Sequence, residues 1–492
     1  MERVSIGGFG IRAVRHMNSV GEGMMSRLVW KGDERYLPGP AWAPQAIQPK
    51  APHASAPPRF SETMGTFAVE GGLRLEGRIR PAGNKNAALP CLAATVLASE
   101  PVTLHNIPRI RDVLTFLEIV TSLGADVRWD GPNTVVVDAS GVRTGAVDRD
   151  LAERIRASLL LAGPLLARFG HVQLPPPGGD VIGRRRMDTH FLAFEALGAT
   201  VELSGDFTIF ADRLAGADIF LDEPSVTGSE NAIMAAVGAK GMTRIRNTAS
   251  EPHVQDLCHL LNAMGARISG IGTHILEIEG VDEIHGAEYT IGADHIETGS
   301  FIGLAAVTGS DLIIEGAPIE HLDSTLLGFR RLGINCEIDG TDLHVNGSAE
   351  HVVQNDAFGH VPKLDDGPWP AFPADLTSIA VVAATQCKGT VLLHEKMFES
   401  RMFFTDKLVG MGASIILCDP HRAVVVGPTP LQAGVVESPD IRAGMALLIA
   451  ALGAHGTSRI RNIRQIERGY ESIDSRLSAL GAKIVREDDG SD

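Results

Sequence analysis

The 492-residue sequence predicts an α/β protein of six similar units, grouped as two globular domains of three. Three observations predict it. The first is a helix ending that recurs about every 70 residues: Leu123-Gly124-Ala125, Leu197-Gly198-Ala199, Met264-Gly265-Ala266, Leu332-Gly333-Ile334, Met411-Gly412-Ala413 and Leu480-Gly481-Ala482. Glycine suits the position just past a helix, where a left-handed backbone disfavours a side chain. The apolar residues after it, such as 482–485, then begin a strand. The second observation is an earlier helix in each unit, small and apolar nearly all round, as at 87–94, 232–237 and 443–450; such helices are fully buried. The third is a later, amphipathic helix, such as 111–118, expected to face solvent.

Composition narrows the function classes. Hydrophobic residues at 44% and charged residues at 21% exclude a chain disordered throughout. A net charge of −16 excludes a general nucleic-acid binder, which needs clustered basic surface. Five scattered cysteines form no CxxC and no disulfide framework, and the apolar runs are too short to span a bilayer. A reduced, cytoplasmic protein without membrane contact is expected; no protein partner, cofactor or metal is implied. Residues 1–65 differ in kind. Seven prolines (Pro38, Pro40, Pro44, Pro49, Pro52, Pro57, Pro58) crowd 37–59 and read as an extended linker. That segment reads as a disordered tail or a misassigned start, with Met64 just ahead of a strand at 66–69; residues 488–492 read as a second tail.

Polar residues concentrate where the buried helices begin: Asn84-Lys85-Asn86, Arg154-Ile155-Arg156, Ser225-Val226-Thr227, Asp294-His295, Asp375 and Asp440-Ile441-Arg442. Capping accounts for Asp and Ser there. It does not account for Lys85, Arg156 or Arg442, since cations at a helix N-terminus oppose the dipole. These three point to an anionic ligand. A second charged segment, 175–188, combines Gly178, Gly179 and Gly183 with Asp180 and Arg184-Arg185-Arg186. It reads either as a solvated charge run or as a mobile lid over a phosphorylated substrate.

At this point residues 66–487 resemble the enolpyruvyl transferases, in the branch whose acceptor is UDP-N-acetylglucosamine. The motifs are Gly83-Asn84-Lys85-Asn86-Ala87-Ala88-Leu89-Pro90, Arg154-Ile155-Arg156-Ala157-Ser158, Pro177-Gly178-Gly179, Ile296-Glu297-Thr298-Gly299, Ala371-Phe372-Pro373-Ala374-Asp375 and Glu467-Arg468-Gly469-Tyr470-Glu471. Six motifs in order over more than 400 residues make the resemblance specific. The sister branch acting on shikimate 3-phosphate fits less well, because its LPGSKS-type signature is absent. The resemblance implies a two-domain inside-out α/β barrel fold with a closing cleft. Residues 66–84 and 293–487 would form one domain and 85–292 an inserted one.

It also implies the chemistry and the residues. Phosphoenolpyruvate is protonated at its methylene carbon, a sugar 3-hydroxyl adds to the neighbouring carbon, and phosphate leaves. Lys85, Arg185 and Arg468, with Asn86 and Arg442, match positions around phosphoenolpyruvate. Asp375 matches the base, and Asp180 stands where relatives place a cysteine that donates the proton. Arg156, Arg185, Arg186, Met187, Asp188, Thr189, Ser225, Val226 and Met397 match positions that hold the UDP-sugar. Arg186, Thr189, Ala374 and Gln465 depart from the family pattern, so a different nucleotide or sugar acceptor stays open, as does a non-catalytic UDP-sugar-binding paralogue. Fosfomycin alkylates the loop cysteine in relatives; with Asp180 there, resistance is implied.

Overall fold

A computed structural model describes residues 65–179 and 182–487. The expected tails at 1–64 and 488–492, and the expected proton donor Asp180, lie outside the described residues.

Among the described residues the strands form six separate sheets, and five share one pattern. In each, one edge strand pairs parallel with its neighbour and two further strands continue antiparallel. Glu288–Thr290, Val102–His105, Val135–Asp138 and Asp126–Trp129 are an example. The sixth sheet has three strands, and a single parallel bridge from Ala146 to Gln173 takes the fourth place. The six recurrent glycines at 124, 198, 265, 333, 412 and 481 all adopt positive φ between a helix and the strand that follows. Each thereby turns the chain back at the position the repeat predicted.

Helices lie inside and sheets outside. His295–Thr308, Thr377–Ala384 and Ile441–Gly453 pack on one another and are buried along almost their whole length. Small residues permit this: a Cβ on Gly303 would stand 2.4 Å from the Ile379 side chain. Buried side chains fall into two clusters. One contains residues from Ala87 to Ile291; the other joins Phe67 to Ile79 with Ile296 to Ala482. The first strand, Thr66–Glu70, pairs with both Thr457–Arg461 and Lys483–Glu487, so the two ends of the described chain share a sheet.

One expectation needs correction. The helix Arg111–Ser122 was expected to face solvent, yet only Glu118, Thr121 and Ser122 are exposed. Val113, Phe116, Ile119 and Val120 enter the core, and Asp112 is 4% exposed at the helix start. An amphipathic pattern identifies the apolar face; it cannot show that a carboxylate on the other side meets cations brought from distant segments.

Among the described residues no helix is long and apolar enough to cross a membrane.

Candidate active site

The helix starts show both capping and something more. Asn84 accepts amide hydrogen bonds from Asn86 and Ala87, Ser225 from Gly228, Asp294 from Ile296 and Glu297, and Asp440 from Arg442 and Ala443. These side chains satisfy the free N–H groups of each first turn. Lys85 is the first residue after its cap and Arg442 the second after its own, and both turn to carboxylates instead.

Lys85 opens helix Lys85–Ala94 and is 8% exposed. Its Nζ lies 2.7 Å from Oδ2 of Asp112, while Nε of Arg468 donates to Oδ1 of the same carboxylate at 2.8 Å. A side chain among one core's residues thus meets one from beside the other core on a single acid. Burial alone would raise the Asp112 pKa, but the charges of Lys85 and Arg468 outweigh it and hold the carboxyl below its ordinary range. Gln465, which departs from the family pattern, accepts from Nη1 of Arg468 at 2.9 Å and so helps to aim it.

Asp375 lies in the short 3₁₀ turn Ala374–Leu376. Nη2 of Arg401 reaches its Oδ1 at 3.0 Å, and Nε and Nη2 of Arg442 reach its Oδ2 at 3.0 Å. Burial again opposes ionisation, but Arg442 and Arg401 hold the carboxyl far below its usual range, and Lys85 adds to the same field. The two carboxylate clusters therefore adjoin. Burial would lower the Arg442 pKa, yet Asp375, Tyr470 and Asp294 raise it; the guanidinium carbon sits 5.5 Å from the centre of the Tyr470 ring. Its Nη1 is buried with no hydrogen-bond partner. A buried charged donor without an acceptor is costly unless an anion occupies the space it faces.

Arg156 opens the 3₁₀ turn Arg156–Leu161. Its Nη2 donates to the carbonyls of Arg185 at 3.1 Å and Arg186 at 3.4 Å, tying it to the charged loop, and its Nε is buried without a partner. Burial first, and Arg185 second, lower its pKa to about 10. The loop itself docks on a segment more than 200 residues away in sequence. The Ser400 amide donates to the Ile182 carbonyl at 3.1 Å and the Arg184 amide to Oε2 of Glu399 at 3.2 Å. Gly183, at φ +130°, passes so close that a Cβ would stand 2.2 Å from Oε2 of Glu399.

Arg186 binds Asp222 at 2.8 Å and Asp188 at 3.2 Å, with Glu223 at 3.8 Å. Thr189 donates to Asp222 at 2.7 Å and lies against Gly228. That brings 186–189 beside Ser225 and Val226 at the start of helix Val226–Val237. Met187 precedes helix Asp188–Ala196, Asn86 lies in the first turn after Lys85, and Met397, 41% exposed, precedes the segment that meets the loop.

Residue-type reasoning missed three participants. Asp112 reads as an ordinary acid in a helix first turn, and Arg401 and Glu399 belong to no local pattern. Their partners lie 26 to 356 residues away, so no spacing signals them.

Comparison with known proteins gives a consistent result. Residues 69–477 match the family model described as EPSP synthase (3-phosphoshikimate 1-carboxyvinyltransferase). A UDP-N-acetylglucosamine 1-carboxyvinyltransferase of Bradyrhizobium diazoefficiens is 60% identical over 420 residues, covering 85% of this chain and 97% of that relative. One of Treponema pallidum is 55% identical over 424 residues, covering 86% and 100%. Among solved structures, the enolpyruvyl transferase NikO from Streptomyces tendae aligns with a TM-score of 0.76 at 25% identity, covering 86% of this chain and 98% of that one. EPSP synthase from Acinetobacter baumannii shares the fold, with a TM-score of 0.67 at 18% identity over 86% and 100% of the two chains.

Proposed function

From the premise that the chain belongs to the EPSP synthase family, and within it to the UDP-N-acetylglucosamine 1-carboxyvinyltransferases, we propose that it transfers the enolpyruvyl group of phosphoenolpyruvate to the 3-hydroxyl of UDP-N-acetylglucosamine. Phosphate is released. The reaction is the first committed step of peptidoglycan synthesis, and the proposed place of work is the cytoplasm. The observation that carries this reading is the pair of adjoining clusters, Lys85–Asp112–Arg468 and Arg401–Asp375–Arg442. The reading is supported by an ionised carboxylate, Asp375, standing among cations numerous enough to receive a phosphate and a carboxylate.

In the proposed mechanism Lys85, Arg185 and Arg468 neutralise the phosphate of phosphoenolpyruvate, and Arg442 receives an anionic oxygen on its unpartnered Nη1. Asp112 holds Lys85 and Arg468 until substrate replaces it. Asp375 accepts the proton of the 3-hydroxyl as that oxygen bonds to the central carbon of phosphoenolpyruvate. While both guanidiniums bind it, Asp375 is a weak base. An incoming anion draws Arg442 toward itself and raises the basicity of Asp375 when it is needed. Asp180 gives a proton to the methylene carbon; that role rests on the resemblance alone. Loss of phosphate and of a methyl proton then restores the double bond. Arg156, 185–189, Ser225, Val226 and Met397 hold the nucleotide sugar, and Asn86 supports Lys85. The limits 66–84 plus 293–487 and 85–292 belong to the same proposal, supported by the two buried clusters.

Transfer to another nucleotide or sugar is the second reading. It is favoured by Asp188, Asp222 and Glu223 around Arg186, an acidic set within the segment proposed to hold the nucleotide sugar. A purely binding role needs no base and leaves Asp375 without a purpose. Phosphate release from phosphoenolpyruvate, measured with a panel of acceptors, decides between them. Release only with UDP-N-acetylglucosamine supports the first reading, preference for another acceptor the second, and no release with any acceptor overturns both.

A further inference from the structure

Beside Arg401, buried polar atoms collect without hydrogen-bond partners. They are both carboxyl oxygens of Glu395, Oδ2 of Asp366, Nε of Arg401 and Oγ1 of Thr377. Glu395 is 0% exposed and Asp366 3%. Oε2 of Glu395 stands 3.8 Å from Nε of Arg401, an ion-pair distance too long for a hydrogen bond, and its carboxyl also faces Asp366 and Thr377.

Two ionised carboxylates are acceptors only, so neither can satisfy the other, and water is excluded here. One proton resolves the conflict. Placed on Glu395, it makes that group a donor to Asp366, whose Oδ1 already accepts the Lys396 amide. Burial drives the Glu395 pKa up to about 9; Arg401 opposes the rise and Asp366 adds to it. The neighbouring His421 meets Glu395 through its backbone, its ring Nδ1 on the Glu395 carbonyl and its own carbonyl on the Glu395 amide.

We propose that Glu395 is held neutral in this buried cluster, its proton directed at Asp366, and that neutral Glu395 is a positioning residue which leaves Arg401 committed to Asp375. Arg401 holds the Ala374 carbonyl at 3.1 Å and Asp375 at 3.0 Å. An ionised Glu395 would offer a second carboxylate to its free Nε, draw the guanidinium back and alter the geometry of the base. The inference rests on the reading of Asp375 as base.

Glu395→Gln reproduces the neutral acid in shape, with an NH₂ for Asp366 and a carbonyl toward Arg401. Its kcat at pH 7 is expected within about twofold of wild type, whereas Glu395→Ala, which leaves Asp366 and Arg401 unsupported, loses about tenfold in kcat with little change in acceptor KM. Wild-type kcat is expected to fall on the alkaline side as Glu395 ionises, and Glu395→Gln to lack that fall. If Glu395→Gln loses as much kcat as Glu395→Ala at pH 7, or keeps the wild-type alkaline fall, the proposal is overturned, even where the alanine variant fails to fold. Absence of phosphate release from the wild type would instead overturn the functional reading, which separates the two failures.

Discussion

Asp112→Asn removes one buried negative charge and leaves Lys85 and Arg468 facing each other across a neutral amide. The side chains of the three residues are 10%, 14% and 6% exposed for Lys85, Arg468 and Asp112, so solvent screens little of the change. Removing one partner of a buried ion pair costs about 3–5 kcal/mol. Asparagine keeps the shape and can still accept a hydrogen bond, and Arg468 retains Gln465, which points to the lower end, about 3 kcal/mol. With unfolding entropy near 2.1 cal/mol/K per residue over about 420 described residues, that loss lowers Tm by about 3 °C. The deficit narrows when anion is present. In the wild type, phosphate must displace Asp112 from both cations; in the variant both await it. Millimolar phosphate should therefore raise the Tm of Asp112→Asn more than that of the wild type. The folded pKa of Asp112 is depressed, so its contribution is complete above the unfolded carboxylate value and is lost as pH falls through the lower folded one. The gap between wild type and variant should close below about pH 4. Calorimetry at pH 7 with and without phosphate is the assay. A variant melting within 1 °C of the wild type, with an equal phosphate shift, would refute the bridging role.

Other expectations concern chemistry, closure and pH. Asp375→Asn should lower turnover by about 10²–10⁴ while acceptor binding changes much less, and wild-type phosphate release from that variant would sink its role as base. Gly183→Ala places a Cβ on Glu399 at a positive φ, so UDP-N-acetylglucosamine should protect the loop from proteolysis less well than in the wild type; equal protection would argue against docking as closure. The wild type should resist fosfomycin and Asp180→Cys become sensitive, because a carboxylate is a weaker nucleophile than a thiolate; time-dependent inactivation of the wild type would disprove this. Burial lowers the His190 pKa to about 3, with Arg156 adding to the effect. The unfolded state then binds a proton first, and stability declines as pH drops from the unfolded value near 6.5 toward 3. Denaturant titrations should give the wild type a slope about 1.4 kcal/mol per pH unit steeper than His190→Gln between pH 6 and 4. Parallel slopes would exclude that histidine as the cause.

Much of the architecture was present in local sequence. Each Leu/Met-Gly ending acts within its own turn, since only the backbone of the next few residues decides whether a left-handed position is needed; all six glycines adopt it. Helices such as Ile441–Gly453 carry their burial in their own composition, because a helix apolar all round has no face to give to water. Lys85 and Arg442 were legible for a related reason: a cation in a helix first turn opposes the dipole beside it, and that conflict can be read from three or four residues.

Tertiary structure alone decided what those cations meet. Asp112 reaches Arg468 across 356 residues and Asp375 reaches Arg442 across 67. Chain folding brings these groups within 3 Å, where low dielectric makes their charges count, and no sequence period encodes that meeting. The same holds for Arg401 and Glu395. Their significance lies in atoms left without partners once water is excluded, and exclusion of water is a property of the packed core rather than of any segment.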